Sequence, residues 1–386
     1  MKKIQLLNKI AAIGTDIFDK SVYEVAEGLE NPDAIMVRSA SMHDMVFGDN
    51  LRAIARAGAG VNNIPVDRCA EEGIVVFNTP GANANGVKEL AVAALILAAR
   101  DVVGGVEWAK TLEGNPDAAK AVEKGKGAYV GHELAGKTLG VIGLGAIGGM
   151  VANVATHLGM KVIGCDPYIT VNAAWSLSRS IEKATSYDEI YAKADYITLH
   201  VPATETTKGM INAKTLGMMK DGVRIVNLAR ADLVNAEDMK AALAEGKVAA
   251  YVTDFPTPAT LGVKGIVNIP HLGASTFESE DNCAVMAAEE LDEFLSNGNI
   301  RNSVNYPNVS IPHTGASRVC LAHKNIPNVL SSITSIISEK GINIENMSNA
   351  SRGDYAYTIV EIASDIPAGA KEAFEAIEGM IRVTLY

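Results

Sequence analysis

The chain is poor in aromatic residues: Phe, Trp and Tyr make up 5% of its 386 residues. That scarcity argues against a single-strand nucleic-acid binder, whose affinity rests on stacking platforms. An excess of positive charge is also missing. Lys and Arg number 34 against 45 Asp and Glu, a formal net charge of −11, which excludes a polyanion or an anionic membrane surface as the main partner. Cysteine is scarce too. Cys69, Cys165, Cys283 and Cys320 stand far apart, with no CxxC and no Cys/His ligand spacing, so neither a metal site nor a disulfide framework is indicated. The longest apolar run, Leu90 to Ala99, falls well short of the ~18 residues of a membrane span. Met1-Lys2-Lys3 leads into strand-like sequence without a signal-peptide apolar region. A cytoplasmic location is the expectation.

What is present is a globular balance, 48% hydrophobic and 20% charged, with length enough for two or three domains. From about residue 138 to 270, short β-branched runs alternate with helical stretches. Leu139–Ile142, Lys161–Cys165, Tyr196–Val201, Val223–Leu228, Ala249–Thr253 and Ile266–Ile269 are the runs. Near-continuous apolar strands separated by helices predict a doubly wound α/β domain with a parallel sheet covered on both faces. Residues 3–80 repeat the cadence more weakly, giving a second Rossmann-like domain. Arg301 to Thr314 is rich in Asn, Pro and Ser and reads as a linker. Beyond it, strand, helix, strand, strand, helix and strand predict a small ferredoxin-like βαββαβ unit.

Gly143-Leu144-Gly145-Ala146-Ile147-Gly148 follows one predicted strand and opens a helix, and Asp166 ends the next strand. This is the dinucleotide fingerprint in its full context: glycines for the turn, for close approach of a pyrophosphate and for helix–strand packing, with an acid for the ribose hydroxyls. The free N–H groups of the helix start suit the pyrophosphate. Two like charges ~4 Å apart repel by about 4 kcal/mol at an effective dielectric near 20. Asp166 therefore disfavours a 2′-phosphate and selects NAD over NADP.

Three other segments sit at predicted strand ends: Asn227-Leu228-Ala229-Arg230, Tyr251-Val252-Thr253-Asp254 and Pro270-His271-Leu272-Gly273. Singly, Arg230 reads equally as a surface cation, Asp254 as a turn cap and His271 as a turn histidine. Taken with the glycine loop, and with Val37-Arg38-Ser39, Ala57–Asn63, His200-Val201-Pro202 and His271–Thr276, the chain resembles the D-isomer-specific 2-hydroxyacid dehydrogenases over nearly its whole length. Among them it is most similar to the D-3-phosphoglycerate dehydrogenases.

The resemblance implies roles. His271 matches the general acid/base and Arg230 the cation for the substrate carboxylate and carbonyl; such chemistry needs a proton acceptor and a fixed planar cation. Asp254 matches the residue that orients the nicotinamide carboxamide, and His200, Val201, Pro202, Ala229 and Gly273 join Gly143–Gly148 and Asp166 as cofactor contacts. Arg38, Ser39, Gly60 and Asn83 would bind substrate, and Lys126 stands where some relatives reach across from a partner subunit, although a solvated loop lysine reads as well. The family implies a cofactor domain (89–275) inserted into a substrate domain (1–88 and 276–302), then a linker (303–314) and a module (315–386). It also implies a homodimer or homotetramer, with Glu89–Ala99 either at the interface or in the core.

Two departures stand out. The family carries a Glu about five residues after Asp254 that pairs with the histidine; here Phe255-Pro256-Thr257-Pro258-Ala259 holds no carboxylate. Residues 315–386 resemble an ACT domain, in which His323, Asn325 and Asn343 match positions that hold L-serine, but Asn328 replaces a customary Gly. The activity implied is NAD-dependent oxidation of 3-phosphoglycerate. The alternatives are a glycerate or hydroxypyruvate reductase and a non-catalytic NAD-sensing dimer.

Overall fold

The computed structural model describes residues 1–386, which form two compact units, Met1–Asn83 with Phe277–Tyr386, and Ala84–Thr276. In the first unit, β1 (Lys2–Leu7), β2 (Tyr23–Ala26), β3 (Ala34–Val37), β4 (Ala53–Arg56) and β5 (Val75–Asn78) pair in the order β2-β1-β3-β4-β5, all parallel. All four residues of β3 are buried, as a strand covered on both faces requires. The helix Phe277–Asn297 supplies part of that cover: its Ala284, Leu291 and Phe294 share a core with Ile4, Met36 and Phe77.

In the second unit, β6 (Thr138–Ile142), β7 (Lys161–Cys165), β8 (Glu182–Lys183), β9 (Tyr196–Leu199), β10 (Val223–Asn227), β11 (Val248–Thr253) and β12 (Ile266–Asn268) make a parallel sheet. Its order is β12-β11-β10-β9-β6-β7-β8. The winding reverses at β6, so the crevice beyond the C-terminal ends of β6 and β9 is the topological switch point, where such sheets bind ligands. The helix Ala84–Ala99 turns Ala91, Ala94, Leu95 and Ala98 into the core beside Val141 and Val252. The small-residue run at 89–99 therefore has a core face.

The C-terminal module has β13 (Ser317–Lys324), β14 (Ile344–Arg352), β15 (Tyr355–Ile362) and β16 (Met380–Leu385), antiparallel in the order β14-β15-β13-β16. Helices Val329–Glu339 and Ala370–Glu375 complete βαββαβ. Val319, Leu321 and Val360 pack under those helices, with Ile333 and Phe374. The opposite face, with Cys320, Ala322, Tyr357 and Ile359, enters the core of the first sheet. The module is fused to the first unit rather than hung from it.

The first part of the stretch 303–314, expected as a linker, is packed as well, with residues 303, 305–307 and 309 buried, whereas 312–314 are exposed. Tyr306 is fully buried and donates to the Ala70 carbonyl at 2.7 Å, and the Asn305 amide accepts from Val76 N and donates to Ile74 O. The polar residues that suggested a loop satisfy the backbone at the edge of β5. Arg318, with no exposed surface, bonds Glu361 and donates to the carbonyls of Asn297 and Ile311. Burial opposes ionisation of Glu361, but the Gly315 N–H and the Arg318 guanidinium outweigh it and hold the carboxyl below its usual range. No helix is long and apolar enough to cross a membrane.

Candidate active site

The glycine loop joins β6 to the helix Ala146–His157. Gly143 has φ +90°, and a side chain there would strike the His200 carbonyl. A side chain on Gly148 would strike the Gly143 carbonyl, whereas Gly145 has open space beside it. The loop is thus closed against the protein and open on the side where a pyrophosphate lies in such folds. Asp166, just beyond β7, accepts from Leu144 N and Tyr168 N, one backbone N–H on each oxygen. A carboxylate has about four acceptor sites, so capacity for ribose hydroxyls remains. His200 lies just beyond β9, its Nε2 2.9 Å from the Thr198 hydroxyl, and burial pushes the imidazole down to about 4. It is a neutral wall of the crevice, with Val201 and Pro202 following.

β10, β11 and β12 deliver the remaining groups at their C-terminal ends. Buried Asn227 closes the turn after β10: its amide donates to the Arg230 carbonyl at 2.8 Å and accepts from Ala229 N at 3.1 Å. That turn presents Arg230 exposed and without a carboxylate partner, its one bond running to the Ala229 carbonyl. Asp254, after β11, is buried. Its Oδ2 accepts from Gly273 N at 3.0 Å and its Oδ1 has no partner. Burial raises its pKa, only partly offset by the Gly273 bond. A buried carboxylate oxygen left unsatisfied is costly, and it marks a place for a donor. His271 has φ +32°, rare for a non-glycine residue. Its N–H bonds to both the Asp254 and Ile269 carbonyls at 3.0 Å, and its exposed ring lies 4.8 Å from that of Phe255.

In the first unit, the C-terminal ends of β3, β4 and β5 gather a different set. Arg38 is exposed and paired with Glu280 at 2.5 Å. Arg56 donates through Nε to the Arg38 carbonyl at 3.1 Å, and its guanidinium lies under the Gly58–Gly60 loop. Burial and the Arg38 charge lower its pKa. Ser39 N bonds Asn8, and Asn78 holds the loop by donating to the Ala59 carbonyl at 2.6 Å. Two guanidinium groups thus lie close together with only Arg38 paired to a carboxylate, an arrangement suited to an anion.

Residues 93–273 match the family described as D-isomer specific 2-hydroxyacid dehydrogenase, NAD binding domain. The D-3-phosphoglycerate dehydrogenase of Escherichia coli (strain K12) is 32% identical over 350 residues, 87% of this chain and 82% of that protein. The chain belongs to the D-isomer specific 2-hydroxyacid dehydrogenase family. The D-3-phosphoglycerate dehydrogenase of Synechocystis sp. is 33% identical over 332 residues, 80% of this chain; the matched region spans only 57% of that relative's length. Among solved structures, NAD+-bound 3-phosphoglycerate dehydrogenase from Entamoeba histolytica has a TM-score of 0.61 at 27% identity, covering 79% of this chain and 98% of that one.

NAD is the cofactor of this dehydrogenase family's domain, and the open Gly145 cradle and the orphaned Asp254 Oδ1 fit it. Sequence reasoning missed three residues: Arg56, Asn227 and Phe255. A pattern of cations at consecutive parallel strand ends would have found Arg56; the others needed coordinates. Lys126 lies exposed on the Lys126–Tyr129 turn, paired with Glu123 at 2.5 Å, like an ordinary surface lysine. His323 is buried in the sheet with both ring nitrogens engaged, by the Lys324 carbonyl and the Thr358 hydroxyl at 2.9 Å each, so it presents nothing to a ligand. Asn325 and Asn343 are exposed. Asn328 has φ +70°, which explains the customary Gly there: the backbone needs a left-handed residue, and Asn tolerates that best after Gly.

Proposed function

We propose that the chain oxidises 3-phospho-D-glycerate to 3-phosphohydroxypyruvate with NAD, the entry step of serine synthesis. The observation that carries the phosphorylated substrate is the Arg38–Arg56 pair, a second cationic site besides Arg230. A substrate with two anionic groups calls for more than one cationic group, the more so in a chain of net charge −11. Bound NAD supplies the acceptor for the hydride leaving C2. His271 takes the hydroxyl proton on an imidazole nitrogen and returns it in the reverse direction. Arg230 binds the carboxylate and polarises the forming carbonyl, and Asn227 fixes the turn that carries it. Asp254 meets the carboxamide with its free oxygen. Ser39, Gly60 and Asn83 line the substrate pocket, and Arg38 and Arg56 hold the phosphate.

The same reading makes the enzyme a cytoplasmic homodimer or homotetramer, with L-serine as a ligand of the C-terminal module. The helix Val102–Lys110 supports association: it buries no residue and exposes Val102, Val103 and Val106. The test is NAD reduction by 3-phosphoglycerate, with product removed, against the same assay with glycerate. A higher kcat/KM for 3-phosphoglycerate is expected. Preference for glycerate would assign a reductase of unphosphorylated acids, and turnover of neither with NAD bound would assign a sensor.

A further inference from the structure

A second cleft lies in the first unit, away from the C-terminal strand ends. It encloses about 780 Å³ between β16 and the starts of β3 and β4, and its charged lining comprises Asp33, Asp49, Arg52, Lys371, Glu375 and Arg382. We propose that this cleft binds a small oxyanion, a phosphate- or carboxylate-bearing metabolite, on Arg52, Arg382 and Lys371.

Neither arginine meets a carboxylate. Arg52 reaches only the Tyr386 hydroxyl, at 3.5 Å, and lies 5.9 Å from the centre of that ring. Arg382 donates to the carbonyls of Leu51 at 2.7 Å and Glu72 at 3.1 Å, which fix its head without cancelling its charge. The two guanidiniums repel each other, a cost that an anion relieves. The acids are already occupied or peripheral. Asp33 accepts from Lys3 N at 2.7 Å; Glu375 lies 3.6 Å from Lys371 on the same helix, an exposed pair whose lysine an anion would share; and Asp49 is exposed, its charge and that of Glu72 acting on Arg382 from beyond ion-pair distance. β16 adds donors of its own. It is the outer strand of its sheet, bonded to β13 alone. Arg318 and Tyr386 exchange both backbone bonds, so by antiparallel alternation the N–H groups of Val383 and Leu385 point away from β13, toward the open edge.

The position gives the cleft meaning. Asp33 and Arg52 precede β3 and β4, whose far ends lead to Arg38 and Arg56. Strands of four residues span ~13 Å. The cleft, the module and the substrate-side arginines are thus joined by two buried strands.

The test titrates inorganic phosphate, and separately acetate, into the full chain by calorimetry, using wild type, Arg38→Ala, Arg52→Gln and Lys371→Gln. Phosphate binding that persists in Arg38→Ala and weakens at least about tenfold in Arg52→Gln is expected, since a charge-assisted pair is lost. Lys371 is an exposed helix residue whose replacement leaves folding intact, and Lys371→Gln should weaken binding about threefold. Acetate binding as tightly as phosphate identifies a carboxylate ligand, and a phosphate preference a phosphorylated one. Binding weaker than about 10 mM in Arg38→Ala, or unchanged in both Arg52→Gln and Lys371→Gln, overturns the proposal.

Discussion

Glu290 couples the first unit's stability to pH in a direction opposite to most carboxylates. It lies on the helix Phe277–Asn297, 7% exposed, with one oxygen accepting from the Asn302 amide at 2.8 Å and the other buried without a partner. Burial, reinforced by the neighbouring Glu289 charge, raises its pKa from 4.5 to about 8. The unfolded chain therefore releases this proton near 4.5 and the folded chain near 8. Below both values the group contributes nothing. Between them the unfolded state binds fewer protons, so stability falls as pH rises, and above 8 the full penalty applies. At 1.36 kcal/mol per unit, the gap of about 3.5 units is worth on the order of 5 kcal/mol, a ceiling that relaxation and water entry reduce. Glu290→Gln keeps the shape and the bond from Asn302 while removing the charge. The variant should match wild type within about 1 kcal/mol at pH 5 and exceed it by several kcal/mol at pH 9. Urea-unfolding midpoints across that range, compared as variant minus wild type because two units need not unfold together, provide the assay. A difference that stays flat from pH 5 to 9 would refute the reasoning.

Other outcomes follow from the same contacts. Arg318→Ala strands a buried Glu361 and should destabilise the first unit by about 3–5 kcal/mol, while replacing both partners by apolar residues should cost much less; thermal unfolding of the three variants reads the difference. Asp254→Asn should weaken NAD binding about tenfold with little change in melting temperature, as measured by NADH fluorescence titration, because its free oxygen has no partner inside the protein. Phe255→Ala frees the His271 ring and should lower kcat about tenfold with KM nearly unchanged, whereas Phe255→Tyr should retain most of the rate.

How far the sequence carried depended on whether a feature was local. The glycine loop, its flanking strand and helix, and Asp166 form one contiguous βαβ unit, so their spacing alone encodes the geometry. Arg230, Asp254 and His271 were legible for a related reason: in a parallel sheet, chemistry collects where strands end, and strand ends show as apolar runs giving way to polar residues. Arg56 also ends a strand, but it stands in a run of small apolar residues that masks the strand-end cation, and the Gly58–Gly60 loop folding over it confirms its place. The module's docking was invisible. Arg318 and Glu361 are charged residues 43 apart, and only coordinates show them paired with no exposed surface. Asn305 and Tyr306 misled because the polar groups that usually mark a loop here complete the edge of a sheet.

The missing glutamate is best understood through what holds His271 in its place. A carboxylate beside a catalytic histidine does two things: it orients the ring and it stabilises the charged form. Here the ring is oriented by other means. The backbone of His271 is pinned in a strained conformation by the Asp254 carbonyl, the Asp254 carboxylate pins Gly273 two residues on, and the Phe255 ring backs the imidazole. One residue of β11's end thus anchors both the histidine turn and the free oxygen offered to the cofactor. Strain of ~1–3 kcal/mol at such a position survives only when its surroundings over-determine it, and these three contacts do. For the second role, the charges of Asp254 and His271 interact without forming an ion pair, and the ring contact of His271 is with Phe255. If His271 acts as the proposed base, its proton transfer depends on this geometry, which places Phe255 and Asp254, rather than a distant acid, at the centre of it.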